Sequence, residues 1–241
     1  MPEIKKWTDV RMFYEKTGMA KFISHLDTVR CITRAMKRAQ VPIWYTEGFN
    51  PHAFLTFAMP LSLGFESYCE TVDFRLTEDV DLGELTEKLN NAEIVVPGHV
   101  TDIKNSVFKG CTSVKKIALP HMSPNDIRWA EYEIIFNNPD DLLLNRAHSI
   151  LSADEILVEK KGKQGRKKVA KEVNIKEHIR TYELKEENNK LILKTVLASG
   201  TTTNINPMLL IGALTKNTNT DEQDVDIIKL KSYTENMEIF R

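Results

Sequence analysis

Three cysteines are all this chain has, Cys31, Cys69 and Cys111, odd in number and far apart. That spacing excludes a disulfide scaffold and a zinc knuckle. No run approaches the eighteen or so apolar residues of a membrane-crossing helix, and the first ten residues, MPEIKKWTDV, hold no apolar signal core. The expectation is therefore a cytoplasmic chain with no membrane partner. A phosphate-cradling Walker loop, a dinucleotide fingerprint and a full nucleophile triad are all missing. Excess charge is missing too. Lys and Arg total 33 against 34 Asp and Glu, so any attraction for a polyanion must come from local clustering. What is present is ordinary: 41% hydrophobic and 28% charged residues over 241 positions. That is the make-up of a globular chain long enough for one large or two small domains.

The densest stretch runs from Ser24 to Gly64. Ser24 suits a helix N-cap, and Asp27, three residues on, suits the positive end of the helix dipole. Leu26, Val29, Ile32, Met36 and Ala39 then recur at spacings of three and four, which predicts one apolar face. Arg30, Arg34, Lys37 and Arg38 fall on the opposite face, and no acid beyond Asp27 balances them. The helix is expected to end near Gln40, because Val41 precedes Pro42. A cationic roof of this kind fits phosphate or an acidic partner; it is also what a solvated helix face shows.

The loop after the helix reads Tyr45-Thr-Glu-Gly-Phe-Asn-Pro-His52. Gly48, Asn50 and Pro51 are turn formers. His25 and His52 both lie at element ends, where an imidazole can serve as a phosphate donor or general base, or simply tie down a loop. With Asp27 to orient an imidazole, His25 and His52 are the candidate catalytic set. An apolar strand over Phe54–Met59 is expected next.

Lys21-Phe-Ile-Ser-His-Leu-Asp27, then Arg34-Ala, Gly48-Phe-Asn-Pro-His52 and Phe57-Ala-Met-Pro-Leu61 with Gly64 resemble the signature of the radical SAM-linked protein family. This is a bacterial family of unknown function, and the match is specific over about Arg11 to Ser67. The resemblance implies a radical SAM protein as partner and a connection to RNA, rRNA or tRNA, rather than DNA. The chain lacks the three clustered cysteines of a radical SAM enzyme, so it would serve such an enzyme rather than be one.

Read in order, residues 8–106 give β, α, β, β, α, β: strands at Val10–Lys16, Phe54–Met59, Tyr68–Leu76 and Ile94–Val96, with a second helix carrying Leu82, Leu85 and Leu89. That order predicts a split βαβ, ferredoxin-like domain, an antiparallel sheet with helices on one face. Residues 107–127 read as a connection, with a possible strand at Ser113–Leu119. Residues 128–241 read as a second ferredoxin-like half: a strand over Trp129–Phe136, a helix opened by Pro139, a strand at Ile156–Glu159, a kinked strand over Val173–Leu184, another over Lys190–Ala198 and a helix from Asn206-Pro207. The fold class expected is α+β with two such halves in tandem and a frayed C-terminal end.

A basic loop, residues 160–168, joins two of these strands and holds six cations among nine residues. Lys161, Lys163, Arg166, Lys167 and Lys168 are candidate phosphate contacts, though a solvated loop shows the same composition. With Lys21, His25, Arg30, Arg34, Lys37, Arg38, Asn50 and His52 they form the expected nucleic-acid-binding set. Tyr14, Phe22, Trp44, Tyr45 and Phe49 stand near the basic helix, where any that are exposed can stack on unpaired bases; most are expected in the core. No cofactor or metal is expected. Three functions remain open: an RNA-binding accessory protein, an interaction subunit docking a radical SAM partner, and a histidine-dependent enzyme acting on RNA or a phosphorylated substrate.

Overall fold

The structure of the chain, a computed structural model, describes residues 7–91, 112–164 and 167–241. The fold is α+β, its strands mostly antiparallel. The chain divides into two compact units, Met1–Asn125 with Arg241, and Asp126–Phe240. Among the described residues no helix is long and apolar enough to cross a membrane.

In the first unit β1 (Thr8–Lys16), α1 (His25–Arg38), β2 (Leu55–Phe57), β3 (Glu66–Leu76), α2 (Leu82–Asn91) and β4 (Thr112–Ala118) follow in turn. Within it the strands lie in the order β4, β1, β3, β2. The expected fourth strand at Ile94–Val96 lies outside the described residues. The strand that flanks β1 is β4, the strand expected at Ser113–Leu119 within the connection, here over Thr112–Ala118. Asn90 ties α2 to it by mimicking a strand partner: its amide donates to the Val114 carbonyl and its oxygen accepts from the Val114 amide, both at 2.8 Å. The strand expected over Phe54–Met59 is pared to Leu55–Phe57.

Period-two alternation decides which side chains of β1 and β3 meet the helices. Val10, Met12 and Tyr14 on β1 and Val72, Phe74 and Leu76 on β3 form the core with Ile32, Ala35, Met36, Leu85 and Leu89. Burying a side chain such as Phe74 or Ile32 in this way stabilises the fold by about 1.5–3 kcal/mol. Arg11, of opposite parity, is fully buried on the other face and donates to both carboxylate oxygens of Asp73, at 2.6 and 2.8 Å, and to the Met122 carbonyl at 2.8 Å.

Ser24 caps α1 as its sequence predicts: its oxygen accepts from the Asp27 amide at 3.1 Å and its hydroxyl donates to Asp27 Oδ2 at 2.7 Å. The buried stripe differs from the expected one. Thr28, Cys31, Ile32, Ala35 and Met36 face the sheet, while Leu26 is 57% exposed. Both stripes obey the helical period. Thr28 satisfies its hydroxyl on the Ser24 carbonyl at 3.0 Å, so it enters the core without an orphan donor, and Cys31 and Ala35 are small enough to let the helix settle.

In the second unit β5 (Trp129–Phe136), α3 (Asp141–Ser152), β6 (Leu157–Gln164), β7 (Lys167–Asn174), β8 (Ile179–Glu187), β9 (Lys190–Ala198), α4 (Pro207–Thr215) and β10 (Val225–Tyr233) follow one another. The strands of its sheet lie in the order β10, β5, β9, β8, and β6 and β7 form a separate hairpin. The kinked strand expected over Val173–Leu184 is two strands, β7 and β8, parted by a turn of 3-10 helix at Lys176–His178. Asp140, not Pro139, starts α3: it is the N-cap and accepts from the Leu143 amide at 2.7 Å. Asn206 caps α4 with Pro207 at its first turn. The expected frayed end is instead folded back: Tyr233 bridges to Ile239, the Phe240 amide donates to the Ser232 carbonyl at 2.9 Å, and Phe240 is buried.

Candidate functional site

The exposed face of α1 is the expected cationic roof. Arg30 pairs with Asp27 at 3.0 Å. Arg34, Lys37 and Arg38 are exposed, and among the described residues no ion pair or side-chain hydrogen bond engages them. The Ser24 hydroxyl and the Arg30 guanidinium hold the Asp27 carboxyl below its ordinary range, which favours the carboxylate at the positive end of the helix dipole. On the buried face, desolvation pushes the Cys31 thiol up, against the pull of Arg34, so Cys31 is an inert core group. Lys21 is half-buried and pairs with Glu66 at 3.5 Å.

The aromatic residues divide differently from expectation. Tyr14 is buried and Trp44 half-buried, but Phe22, Tyr45 and Phe49 are exposed. Trp44 belongs to a stack in which Arg75 lies 5.1 Å from its ring, 4.4 Å from Trp7 and 4.0 Å from Phe54. Phe22 shares its end of the unit with further exposed apolar side chains. The Gly64 amide donates to the Lys21 carbonyl at 2.8 Å, joining the loop bearing exposed Leu63 to the segment bearing exposed Met19 and Phe22. Gly64 has φ of +85° there, a conformation that favours glycine.

The two histidines sit at opposite ends of β2. His25 opens α1, and its ring meets Phe57 edge-on, centroids 4.9 Å apart. His52 precedes β2 by three residues, and an extended chain from His52 to Phe57 covers about 16 Å. His52 Nδ1 lies 3.1 Å from both the Thr46 hydroxyl and the Asn50 carbonyl. The His52 amide donates to the same Thr46 hydroxyl at 3.1 Å. These bonds close the loop, with Gly48 at φ of +127° in its bend. Asn50 contributes its carbonyl to that closure, and its side chain is exposed. Among the described residues no cluster of three His, Cys, Asp or Glu side chains is arranged for a metal ion.

His25 has other company. A small pocket beneath the first turn of α1 is lined by Tyr14, Lys16, His25, Thr28, Phe57, Pro60, Leu61 and Glu70. Tyr14, Lys16 and Glu70 are all buried. The Lys16 ammonium donates to the Ile23 carbonyl at 2.9 Å, and Glu70 accepts from the Ser67 hydroxyl at 2.8 Å. Burial lowers the Lys16 pKa, with Glu70 opposing. Burial first, and the Glu70 carboxylate second, raise the Tyr14 pKa well above its ordinary value, so the phenol keeps its proton. The backbone is irregular at this point on both sides of β1. Tyr14 pairs with Glu70 and Lys16 with Ser67, an extra residue on β3; a second shift falls between Phe13 and Tyr14 against β4. Bulges of this kind re-aim side chains, and they gather beside functional sites.

Nothing in the motif reading singled out Lys16 or Glu70. The signal was in the alternation: Val10, Met12 and Tyr14 point inward on β1, and so must Lys16; Val72, Phe74 and Leu76 point inward on β3, and so must Glu70. Two ionisable residues at inward positions mark a site or a structural ion pair.

β6 and β7 pair from Leu157 with Asn174 to Gln164 with Lys167, with Lys161 opposite Ala170 and Lys163 opposite Lys168. Arg166 lies outside the described residues. Lys160 reaches the Asn204 carbonyl at 3.4 Å.

A family model described as "Uncharacterized protein conserved in bacteria (DUF2344)" matches residues 10–207. The description names no activity and no partner. No curated protein matches the chain. Among solved structures, a crystal structure of an unknown protein from Galdieria sulphuraria is 10% identical over 92% of this chain and 98% of that one, with a TM-score of 0.25; at that score the likeness carries no argument.

Proposed function

The chain belongs to this family of uncharacterised bacterial proteins, and from that premise we propose that it is an RNA-binding accessory protein that presents rRNA or tRNA to a radical SAM enzyme for modification or processing. One observation carries the reading: Arg34, Lys37 and Arg38 stand exposed along α1 with no ion pair or side-chain hydrogen bond among the described residues, and the ring of Phe22, just before the helix, is exposed as well. Cations that neutralise phosphates release counterions, and an exposed aromatic offers a stacking surface to an unpaired base. The β6–β7 hairpin, rich in Lys and Arg by sequence, supplies a second basic element. In this reading each unit is a split βαβ domain of ferredoxin type. Its support is the strand order β4-β1-β3-β2 in one and β10-β5-β9-β8 in the other, the same path through first, second, third and fourth strand once the β6–β7 hairpin is set aside. RNA-binding sheets of this class are a fold-level analogy. The experiment is crosslinking in cells followed by sequencing, with wild type beside a variant carrying alanine at Arg34, Lys37 and Arg38. A discrete RNA recovered with wild type and lost in the variant is the expected result. No enriched RNA in either rejects the reading.

One further observation favours a second reading. Met19, Phe22, Leu26 and Leu63 are all exposed apolar side chains at the N-terminal end of α1, and such residues suit a protein contact. Here the chain is a docking subunit for the radical SAM partner. Copurification of that partner, lost on Leu26→Asp with Leu63→Asp while RNA recovery persists, is the outcome that favours it.

A further inference from the structure

The pocket beneath α1 holds chemistry that the basic helix face does not use. Tyr14 is buried, and its side chain lines the pocket with no hydrogen-bond partner among the described residues. Lys16 commits one of its three N–H groups to Ile23. Glu70 has the Ser67 hydroxyl on Oε1 among its partners, and the two oxygens of a carboxylate have about four lone-pair sites between them. Donors and an acceptor therefore face one space, against apolar walls from Phe57, Pro60 and Leu61.

Size and charge narrow what enters. The space admits about one water-sized group, which excludes a nucleobase, a whole phosphate or a cofactor. A phosphate oxygen would meet the Glu70 carboxylate, and an ammonium would meet Lys16. The group that fits is small, neutral, and able both to donate and to accept. A hydroxyl has those properties. The mouth lies at the N-terminal end of the helix whose exposed side carries the cations, with Arg34 nine residues beyond His25, or about 13 Å along the axis.

We propose, resting on the RNA-binding reading above, that this pocket receives the 2′-hydroxyl of a ribose, which donates to Glu70 and accepts from Tyr14, and that the protein thereby selects RNA over DNA. The 2′-hydroxyl is the group by which a protein tells the two apart. A site built to hydrogen-bond a hydroxyl rejects the analogue that lacks it, because the buried Tyr14 hydroxyl is then left without an acceptor.

The test uses the full chain and three fluorescent oligomers of one sequence: oligouridylate, its 2′-deoxy counterpart and its 2′-O-methyl counterpart. Wild type is expected to bind the ribose oligomer roughly tenfold to a hundredfold more tightly than either analogue. Tyr14→Phe breaks no side-chain hydrogen bond among the described residues, and it is expected to lower that ratio several-fold at unchanged affinity for the deoxy oligomer. Glu70→Gln is expected to remove most of the ratio. Equal affinity of wild type for ribose and deoxy oligomers overturns the proposal while leaving nucleic-acid binding by α1 intact. So does a ratio unchanged in Tyr14→Phe and in Glu70→Gln. No binding to any of the three overturns the RNA-binding reading and this proposal with it.

Discussion

α1 and α3 each follow the first strand of their unit, yet they offer solvent different things. α1 displays Arg30, Arg34, Lys37 and Arg38. α3 has one arginine, Arg146, and its guanidinium donates to the Ala213 carbonyl of α4 at 3.1 Å. The sheets beneath them differ in the same sense. The inward residues of β1 end in Tyr14 and Lys16, opposite Glu70, whereas those of β5 end in Ile134 and Phe136, near Leu191 and Leu193 of β9. A helix packed over leucine and phenylalanine has its role in the core. A helix packed over a lysine, a glutamate and a tyrosine leaves ionisable groups at its first turn, and those groups need a reason to be there.

The contrast is breakable in order of expected size. Phe136→Ala removes the largest side chain ending β5, which is fully buried. It is expected to destabilise the fold by about 4 kcal/mol, read as a lower urea midpoint by circular dichroism. A cost below about 1 kcal/mol would mean that the second unit does not rest on its apolar layer. Asp73→Ala removes the carboxylate that fully buried Arg11 grips with two hydrogen bonds in the first unit. A cost of about 3 kcal/mol is expected, because the buried charge loses that carboxylate. Asp73→Asn, which keeps an acceptor, recovers part of it.

The helix caps are where the two units agree. Ser24→Ala and Asp140→Ala each remove a side-chain acceptor from a first-turn amide, so Ser24→Ala is expected to cost about 1 kcal/mol in the same urea assay. Asp140→Ala is expected to cost more, because it also frees the Asn219 amide; a smaller cost there than for Ser24→Ala would show that the α3 start is held by something other than its cap. The smallest effect is in acid. The Asp27 carboxyl is held low by Ser24 and Arg30, and that of Asp140 by the amides of Asn219 and Leu143. Folded values below the unfolded ones mean that their contribution is whole above the ordinary carboxylate range and is lost as pH falls through the folded values. Replacing either with Asn is expected to flatten the fall of the urea midpoint between about pH 5 and about pH 2. A midpoint curve unchanged in both variants contradicts the assigned causes.

Local signals were strong enough to be read directly. The Ser24 cap, the cationic roof of α1, the leucine face of α2 and the Asn206-Pro207 start of α4 all rest on short-range rules that tertiary contacts leave standing. The rest was hidden for identifiable reasons. Leu26 and Thr28 fit the helical period about equally, and only the satisfied Thr28 hydroxyl, on the Ser24 carbonyl, admits it to the core. The position of β4 follows from long-range pairing with β1 and from the Asn90 side chain, neither of which leaves a mark on Thr112–Ala118 alone. The pocket went unread because Lys16 and Glu70 belong to no motif: their meaning appears only when β1 and β3 are set in register, Tyr14 against Glu70.

The most direct test of the account is the affinity of wild type and of an Arg34→Glu, Lys37→Glu, Arg38→Glu variant for single-stranded RNA, measured across a range of salt. If α1 carries the binding, the wild-type logarithm of affinity falls linearly with the logarithm of salt. Three phosphate contacts give single strands a slope of about −2, and the variant loses both the affinity and the slope. A wild-type slope near zero, or a variant that binds as wild type does, contradicts the claim that the exposed face of α1 is the RNA-binding surface.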